Sequence, residues 1–232
     1  MKGHDAFDDV ADDYTATLNE GLAVSGEDKD FFARERVRFL ARELERRSLR
    51  PRRAIDFGCG TGGSAPFLLE FLKLESLLGI DTSERSIQVA RRAHATTAHA
   101  RFSTLSEHEP AGDADLAFCN GVFHHIPVGE RAAAVAHVRN SLRPGGLWAF
   151  WENNPYNPGT RYIMWRLPFD RDAVTLPWHE AEGLLRGGGF EILQSDHLFI
   201  FPRVLRALRP LERSLARLPI GAQYQVLCRR VD

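Results

Sequence analysis

Cysteine is scarce in this chain of 232 residues: Cys59, Cys119 and Cys228 are the only three. They lie far apart, with no CxxC pair, which excludes a disulfide framework and a structural zinc ribbon. Three free thiols in a reducing compartment are expected, and with them a cytoplasmic location. Long apolar runs are also missing. No segment approaches the about 20 apolar residues of a membrane-spanning helix, and the acidic first residues are unlike a signal peptide. Repeats and low-complexity tracts are absent.

An excess of charge of one sign is lacking too. The 30 Lys and Arg against 31 Asp and Glu leave a net charge of -1, so the chain as a whole has no electrostatic footprint for DNA or RNA. Locally the balance breaks. Asp5, Asp8, Asp9, Asp12, Asp13 and Glu20 face Lys2 alone near the start, and seven arginines face only Glu212 between residues 203 and 230. Both stretches read first as solvated faces.

What is present is an ordinary globular composition, 44% hydrophobic and 26% charged, at a length that suits one domain over 1–232. Phe7, Val10, Ala11 and Tyr14 share a helical face. Ala33, Val37, Leu40, Ala41 and Leu44 mark a second amphipathic helix that Pro51 stops. Residues 1–50 are therefore expected to form a flank or lid. From Ala54 onward short apolar runs alternate with helical patterns. Strands are expected at Ala54–Phe57, Ser76–Ile80, Arg101–Ser103, Asp115–Cys119 and Leu147–Trp151. Helices are expected at 64–73, after Asp81-Thr82-Ser83, and through Val135, Val138 and Leu142 to Arg143-Pro144-Gly145-Gly146. This rhythm implies a parallel sheet covered on both faces.

After Trp151 the rhythm stops. Residues 152–177 read as a long irregular insertion, rich in Asn, Pro, Arg and aromatics, beside the sheet edge where ligands bind. Glu152, Asn153, Asn154, Tyr156, Arg161 and Trp165 are candidates for contacting an acceptor substrate there, and Tyr14 could line the closed pocket. A helix from Trp178 ends in three glycines, residues 190–201 resemble a strand, and Tyr224–Cys228 would be the last one. Between them, Leu205, Leu208, Leu211, Leu215 and Leu218 stripe an arginine-rich helix. That stripe favours packing on the sheet, although residues 203–217 also have the composition of a segment lying on an anionic membrane surface.

The chemistry concentrates in Asp56-Phe57-Gly58-Cys59-Gly60-Thr61-Gly62-Gly63. Strand, glycine turn and helix start make a close-approach site for a cofactor. Gly58, Gly60 and Gly63, with Asp81 further on, also match a dinucleotide fingerprint. Asp56 argues against that reading, because a carboxylate beside the turn repels a pyrophosphate and suits an ammonium or sulfonium.

Four stretches taken together resemble the class I S-adenosylmethionine-dependent methyltransferases: Asp56–Gly62, Gly79–Ser83, Asp115–Ile126 and Leu142–Gly146. The resemblance spans about residues 50–195. It implies a doubly wound α/β fold, Rossmann-like, with a seven-stranded, mostly parallel sheet closed by a terminal pair containing one antiparallel strand. It also implies S-adenosylmethionine as cofactor and S-adenosylhomocysteine as product. Gly58, Cys59, Gly60 and Gly62 would pack on the methionine and ribose part. Asp56 would anchor the amino group, Asp81 would accept the ribose hydroxyls, and Thr82 beside it would also contact the cofactor. Thr104 and Leu105 fall at the adenine position without an acidic or amide residue. Asn120, Gly121 and Val122 would border the methyl donor.

His124 and His125 follow at that end. One of them could act as a general base toward an acceptor hydroxyl or amine, or both could serve packing or substrate hydrogen bonding. A metal site is not expected, because adjacent residues on an extended or turning backbone point apart. The expected function is methyl transfer to a small molecule, with no nucleic-acid partner and an undetermined oligomeric state. A nicotinamide-dependent oxidoreductase and a non-catalytic protein binding the same cofactor remain the alternatives.

Overall fold

In a computed structural model, residues 14–170 and 173–232 are described, with side chains from residue 18 onward. The Phe7, Val10 and Ala11 stripe lies outside them. So does the side chain of Tyr14, which opens α1 (Tyr14–Leu22).

The sheet consists of β1 (Arg53–Phe57), β2 (Ser76–Asp81), β3 (Ala100–Thr104), β4 (Ala114–Asn120), β5 (Leu142–Asn153), β6 (Phe190–Leu198) and β7 (Gln223–Arg230), in the order β3-β2-β1-β4-β5-β7-β6. The first five are mutually parallel, and β7 runs antiparallel to both β5 and β6. The expected doubly wound sheet with a reversed terminal strand is what the chain forms. From β1 the chain winds outward through β2 and β3, then returns to wind the other way through β4 and β5. Connections leave the carboxyl ends of β1 and β4 in opposite directions, which opens a crevice between them.

Helices α2 (Lys29–Arg46), α3 (Ala65–Leu72) and α4 (Glu84–Ala93) cover one face of the sheet. Helices α5 (Arg131–Ser141) and α7 (Trp178–Gly187) cover the other. Successive residues of β4 serve opposite cores. Leu116 and Phe118 pack with Val37, Leu40, Leu68 and Ile87, while Ala117 and Cys119 pack with Val135, Val138, Trp148 and Leu185. Burial on both faces explains the continuous apolar strands that the sequence carries. All three cysteines are free and buried.

Several boundaries differ from expectation. Helix α2 ends before Pro51 matters: Ser48 takes a left-handed φ of 57° and the Leu49 amide returns to the Leu44 carbonyl at 2.9 Å. Helix α5 stops at Ser141, and Leu142 is already extended. Strand β5 runs to Asn153, because pairing with β7 continues through Glu152 and Asn153. The region after it is partly helical. Asn157 accepts from the Thr160 amide at 3.0 Å and Pro158 sits in the first turn of α6 (Pro158–Arg166), the residue types that start helices.

The largest departure lies at residues 203–218. Pro210 cannot supply an amide to an α-helix, and the chain instead forms a 3-10 run, Arg203–Leu211, followed by the short α8 (Glu212–Leu215). Its sidedness is the reverse of the packed stripe expected. Arg209 turns inward, donating to Glu27 at 2.9 Å and to the Phe201 carbonyl at 3.2 Å, with its guanidinium over the Phe31 ring. Leu205, Leu208, Leu211 and Leu218 are left between 40% and 53% exposed. Among the described residues, no helix is long and apolar enough to cross a membrane.

Candidate active site

The glycine turn leaves β1 at the crevice. Gly58 has φ 72° and its amide reaches the Ile80 carbonyl at 2.7 Å. A Cβ there would lie 2.4 Å from Val122, so only glycine lets the turn and the β4 end approach. Gly60 is also left-handed, at φ 52°, yet a Cβ on it would meet nothing within 4 Å. Conformation alone requires that glycine, and the space beside it is open to a ligand.

Asp81, at the end of β2, ties the turn down. Its Oδ2 accepts from the Gly60 amide at 2.8 Å and its Oδ1 from the Ser83 amide at 2.9 Å. Capping of α4 falls to Ser83, which accepts from the Ser86 amide at 3.0 Å. Asp56 is only 3% exposed. Burial, then the Asp81 charge, push its carboxyl up to about 7 against the pull of Arg36. No hydrogen bond to its carboxylate is formed by the described residues. Asn120 has its Oδ1 buried without a partner.

One cavity of about 920 Å³ collects these groups. Asp56, Gly58, Cys59 and Gly60 line it from β1 and the turn, Asp81, Thr82 and Leu105 from β2 and the end of β3, and Asn120, Gly121 and Val122 from the end of β4. Gly62 and Thr104 do not. Gly62 serves the turn itself, its amide bonded to the Cys59 carbonyl and its Cβ position crowded by His94 and Phe102. Thr104 is spent on Ser106. Sequence reasoning missed the α2 wall: Lys29, Asp30, Ala33 and Arg36 all face the cavity. The signal was there, since Arg36 falls on the apolar face with Ala33, Val37 and Leu40, and a buried arginine on such a face needs a partner.

The two histidines have different surroundings. His124 is 4% exposed and does not line the cavity; its Nδ1 lies 2.6 Å from Glu152 Oε2. Burial alone would lower its pKa, but the Glu152 charge, the nearby Asp170 carboxylate and the hydrogen bond to Glu152 hold it up at about 10. Glu152, itself fully buried, is held below the usual carboxylate range by that partner despite burial. His124 is therefore not an available base. His125 lines the cavity. Burial and then the neighbouring His124 push it down to about 4, so it is a neutral imidazole at physiological pH. The expectation that the two rings diverge is wrong. They occupy a tight turn, with the His125 amide on the Val122 carbonyl and the Ile126 amide on that of Phe123, and their centroids are 4.0 Å apart.

The proposed acceptor residues from Glu152 onward mostly make contacts within the fold. Asn154 is buried and donates to the carbonyls of Pro219 and Gly221 at 3.1 and 2.8 Å. Asn153 accepts from Gln223 at 3.0 Å. Tyr156 stacks beside His179, while Arg161 and Trp165 are exposed, Trp165 at 78%. With Glu152, none of these lines the cavity. The segment acts by packing: Leu167 lies against Gly21 of α1, and Asp170 reaches the histidines.

Sheet order, reversed β7 and a glycine turn at the switch point define the class I methyltransferase fold. Residues 55–148 match the family model described as a methyltransferase domain. The chain is 32% identical over 140 residues to a trans-aconitate 2-methyltransferase of Rhizobium leguminosarum bv. trifolii, covering 59% of this chain and 52% of that one. It thus spans about half the length of the curated relatives it matches. Among solved structures, it is similar to a SAM-dependent methyltransferase of Thermotoga maritima, with TM-score 0.65 and 19% identity over 98% of this chain and 99% of that one. It is also similar to the [4+2]-cyclase SpnF, with TM-score 0.56 and 17% identity over 77% and 75% of the two chains. Over residues 55–148 the chain thus matches a methyltransferase domain, carried on a fold shared with S-adenosylmethionine-dependent methyltransferases.

The residues present fit that cofactor. Asp56 is a buried carboxylate that no hydrogen-bond donor among the described residues reaches, suited to an ammonium. Asp81 sits across from the open space at Gly60, and the unpartnered Asn120 oxygen lies at the β4 end of the same cavity.

Proposed function

We propose that this chain transfers the methyl group of S-adenosylmethionine to a small molecule bound at the His125 end of the cavity. The observation that carries this reading is the enclosure of Asp56, Asp81, the Gly58–Gly60 turn and Asn120 in one cavity with His125. Its volume of about 920 Å³ lies toward the upper end of small-molecule sites, leaving room for an acceptor beside the cofactor. The cofactor supplies a methyl group already activated on a sulfonium, which an oxygen, nitrogen or carbon nucleophile displaces.

The protein's share is alignment and exclusion of water. Asp56 and Asp81 bind the two polar ends of the methionine and ribose part. Asn120 and the Gly121–Val122 backbone shape the methyl end. His125, neutral and facing the cavity, can hydrogen-bond an acceptor hydroxyl or amine; with a pKa near 4 it is a weak base, so positioning is its main contribution. A pyrophosphate on this turn would face Asp56, which weighs against a nicotinamide enzyme.

The relatives' name, trans-aconitate 2-methyltransferase, makes a small carboxylic acid the first acceptor to assay. Calorimetry with S-adenosylhomocysteine tests the cofactor half of the proposal: binding at one site per chain is expected, and no binding by folded protein overturns it. Turnover against a panel headed by trans-aconitate tests the acceptor half. A cofactor-binding protein with a different chemistry, as the likeness to a cyclase illustrates, would bind without transferring.

A further inference from the structure

We propose that His124, His125 and Asp170 form a binding site for a divalent transition-metal ion at the acceptor end of the cavity. Two segments distant in sequence build it: the turn after β4 and the 3-10 turn Pro168–Asp170 after α6. They are pinned together by the Val174 amide on the His124 carbonyl at 2.9 Å.

The distances have the character of ligands around an ion. His124 Nε2 is 3.5 Å from Asp170 Oδ1, and His125 Nε2 is 3.4 Å from the same oxygen. The potential donor atoms of the three residues all lie within 4.8 Å of one another. A charge-assisted hydrogen bond between an imidazolium and a carboxylate closes to about 2.7–2.9 Å. Ligands on a tetrahedral ion with bonds of about 2.1 Å stand roughly 3.4 Å apart.

The other side of His124 shows what a closed contact looks like. Its Nδ1 meets Glu152 at 2.6 Å, and Glu152 is itself fixed by the amides of Phe123 at 2.6 Å and Asn153 at 3.2 Å. A carboxylate on the far nitrogen of a ligating histidine sets the tautomer and aims the near nitrogen. Here it aims Nε2 at Asp170.

Charge points the same way. Asp170 is 8% exposed, and no lysine or arginine among the described residues reaches its carboxylate. A bound ion would place positive charge beside that carboxylate. Two imidazole nitrogens and one carboxylate oxygen suit zinc, cobalt, nickel or ferrous iron rather than magnesium or calcium. His125 lines the cavity, so a free coordination position would open toward the acceptor. That last role rests on the proposed function; ion binding itself does not.

The test uses the full chain, stripped with a chelator and titrated with Zn²⁺ by calorimetry and with Co²⁺ by its visible ligand-field absorption. One equivalent per chain is expected. His125→Ala and Asp170→Asn should abolish it, and Glu152→Gln should weaken it by about 10–100-fold. His125 is the least buried of the three ligands, so His125→Ala is the decisive variant, and its retained binding of S-adenosylhomocysteine would show that the fold is intact. Because zinc exceeds iron and manganese in affinity for such donors, a wild-type chain that takes up neither Zn²⁺ nor Co²⁺ overturns the proposal. Equal uptake by wild type, His125→Ala and Asp170→Asn does the same. Neither result bears on cofactor binding, so this site and the methyltransferase reading can fail separately.

Discussion

The carboxylate of Asp81 accepts a hydrogen bond from the Gly60 amide at 2.8 Å, joining the end of β2 to the turn after β1. The acid proposed to bind the ribose thus also holds the glycine turn in shape. Asp81→Ala should weaken S-adenosylhomocysteine binding roughly tenfold to hundredfold, as expected for a hydrogen bond to a charged group of about 1.5–3 kcal/mol. Calorimetry reads the affinity and circular dichroism the fold; unchanged affinity would remove Asp81 from the site.

Asp56 makes the stability of the fold depend on pH. Its carboxyl ionises near 3.8 in the unfolded chain and near 7 in the cofactor-free fold, so between those values the native state binds the extra proton. The contribution of Asp56 to stability therefore falls as pH rises through that window, by up to a few kcal/mol in principle at about 1.4 kcal/mol per unit. Asp56→Asn should be more stable than wild type in denaturant titrations at pH 8, with the gap closing toward pH 4, and should bind cofactor weakly at both. A gap independent of pH would contradict the assignment.

Wild-type affinity for S-adenosylhomocysteine should change in the complementary sense. An ammonium binds the ionised carboxylate, so affinity is expected to rise up to about pH 7 and then level off. In Asp56→Asn that rise should vanish.

Gly58 carries two constraints at once. A left-handed non-glycine costs about 1–3 kcal/mol, and the contact 2.4 Å from Val122 adds overpacking. Gly58→Ala should lower the denaturation midpoint and abolish cofactor binding. Adding Val122→Ala should recover only part of the loss, because it relieves the contact and not the backbone.

The histidine pair should separate in mutagenesis. His124→Ala leaves Glu152 buried without its partner and should cost about 3–5 kcal/mol. His125→Ala should leave stability nearly unchanged, keep cofactor affinity and slow turnover. Equal destabilisation by the two would refute the different environments described for them.

Local pattern sufficed for much of the fold and for picking out residues that gather at one cavity. Strand and helix alternation, the glycine turn with Asp56, and Asp81 after β2 depend on residues near one another in sequence, and ten of the twelve proposed cofactor contacts line the cavity. Helix α6 was legible as well, in Asn157-Pro158, although the asparagines and prolines around it read as a loop.

Long-range packing decided the rest. Whether Glu152 faces an acceptor or His124 depends on β5 pairing onward to Asn153 with β7, and whether Asp170 meets the histidines depends on where α6 carries the chain. The stripe of Leu205, Leu208 and Leu211 was visible in sequence, but its outward orientation was set by Arg209 finding Glu27 and Phe31. Periodicity reports which residues share a side of an element. Which side is buried is settled only by the partner on the other element, and that partner can be more than a hundred residues away.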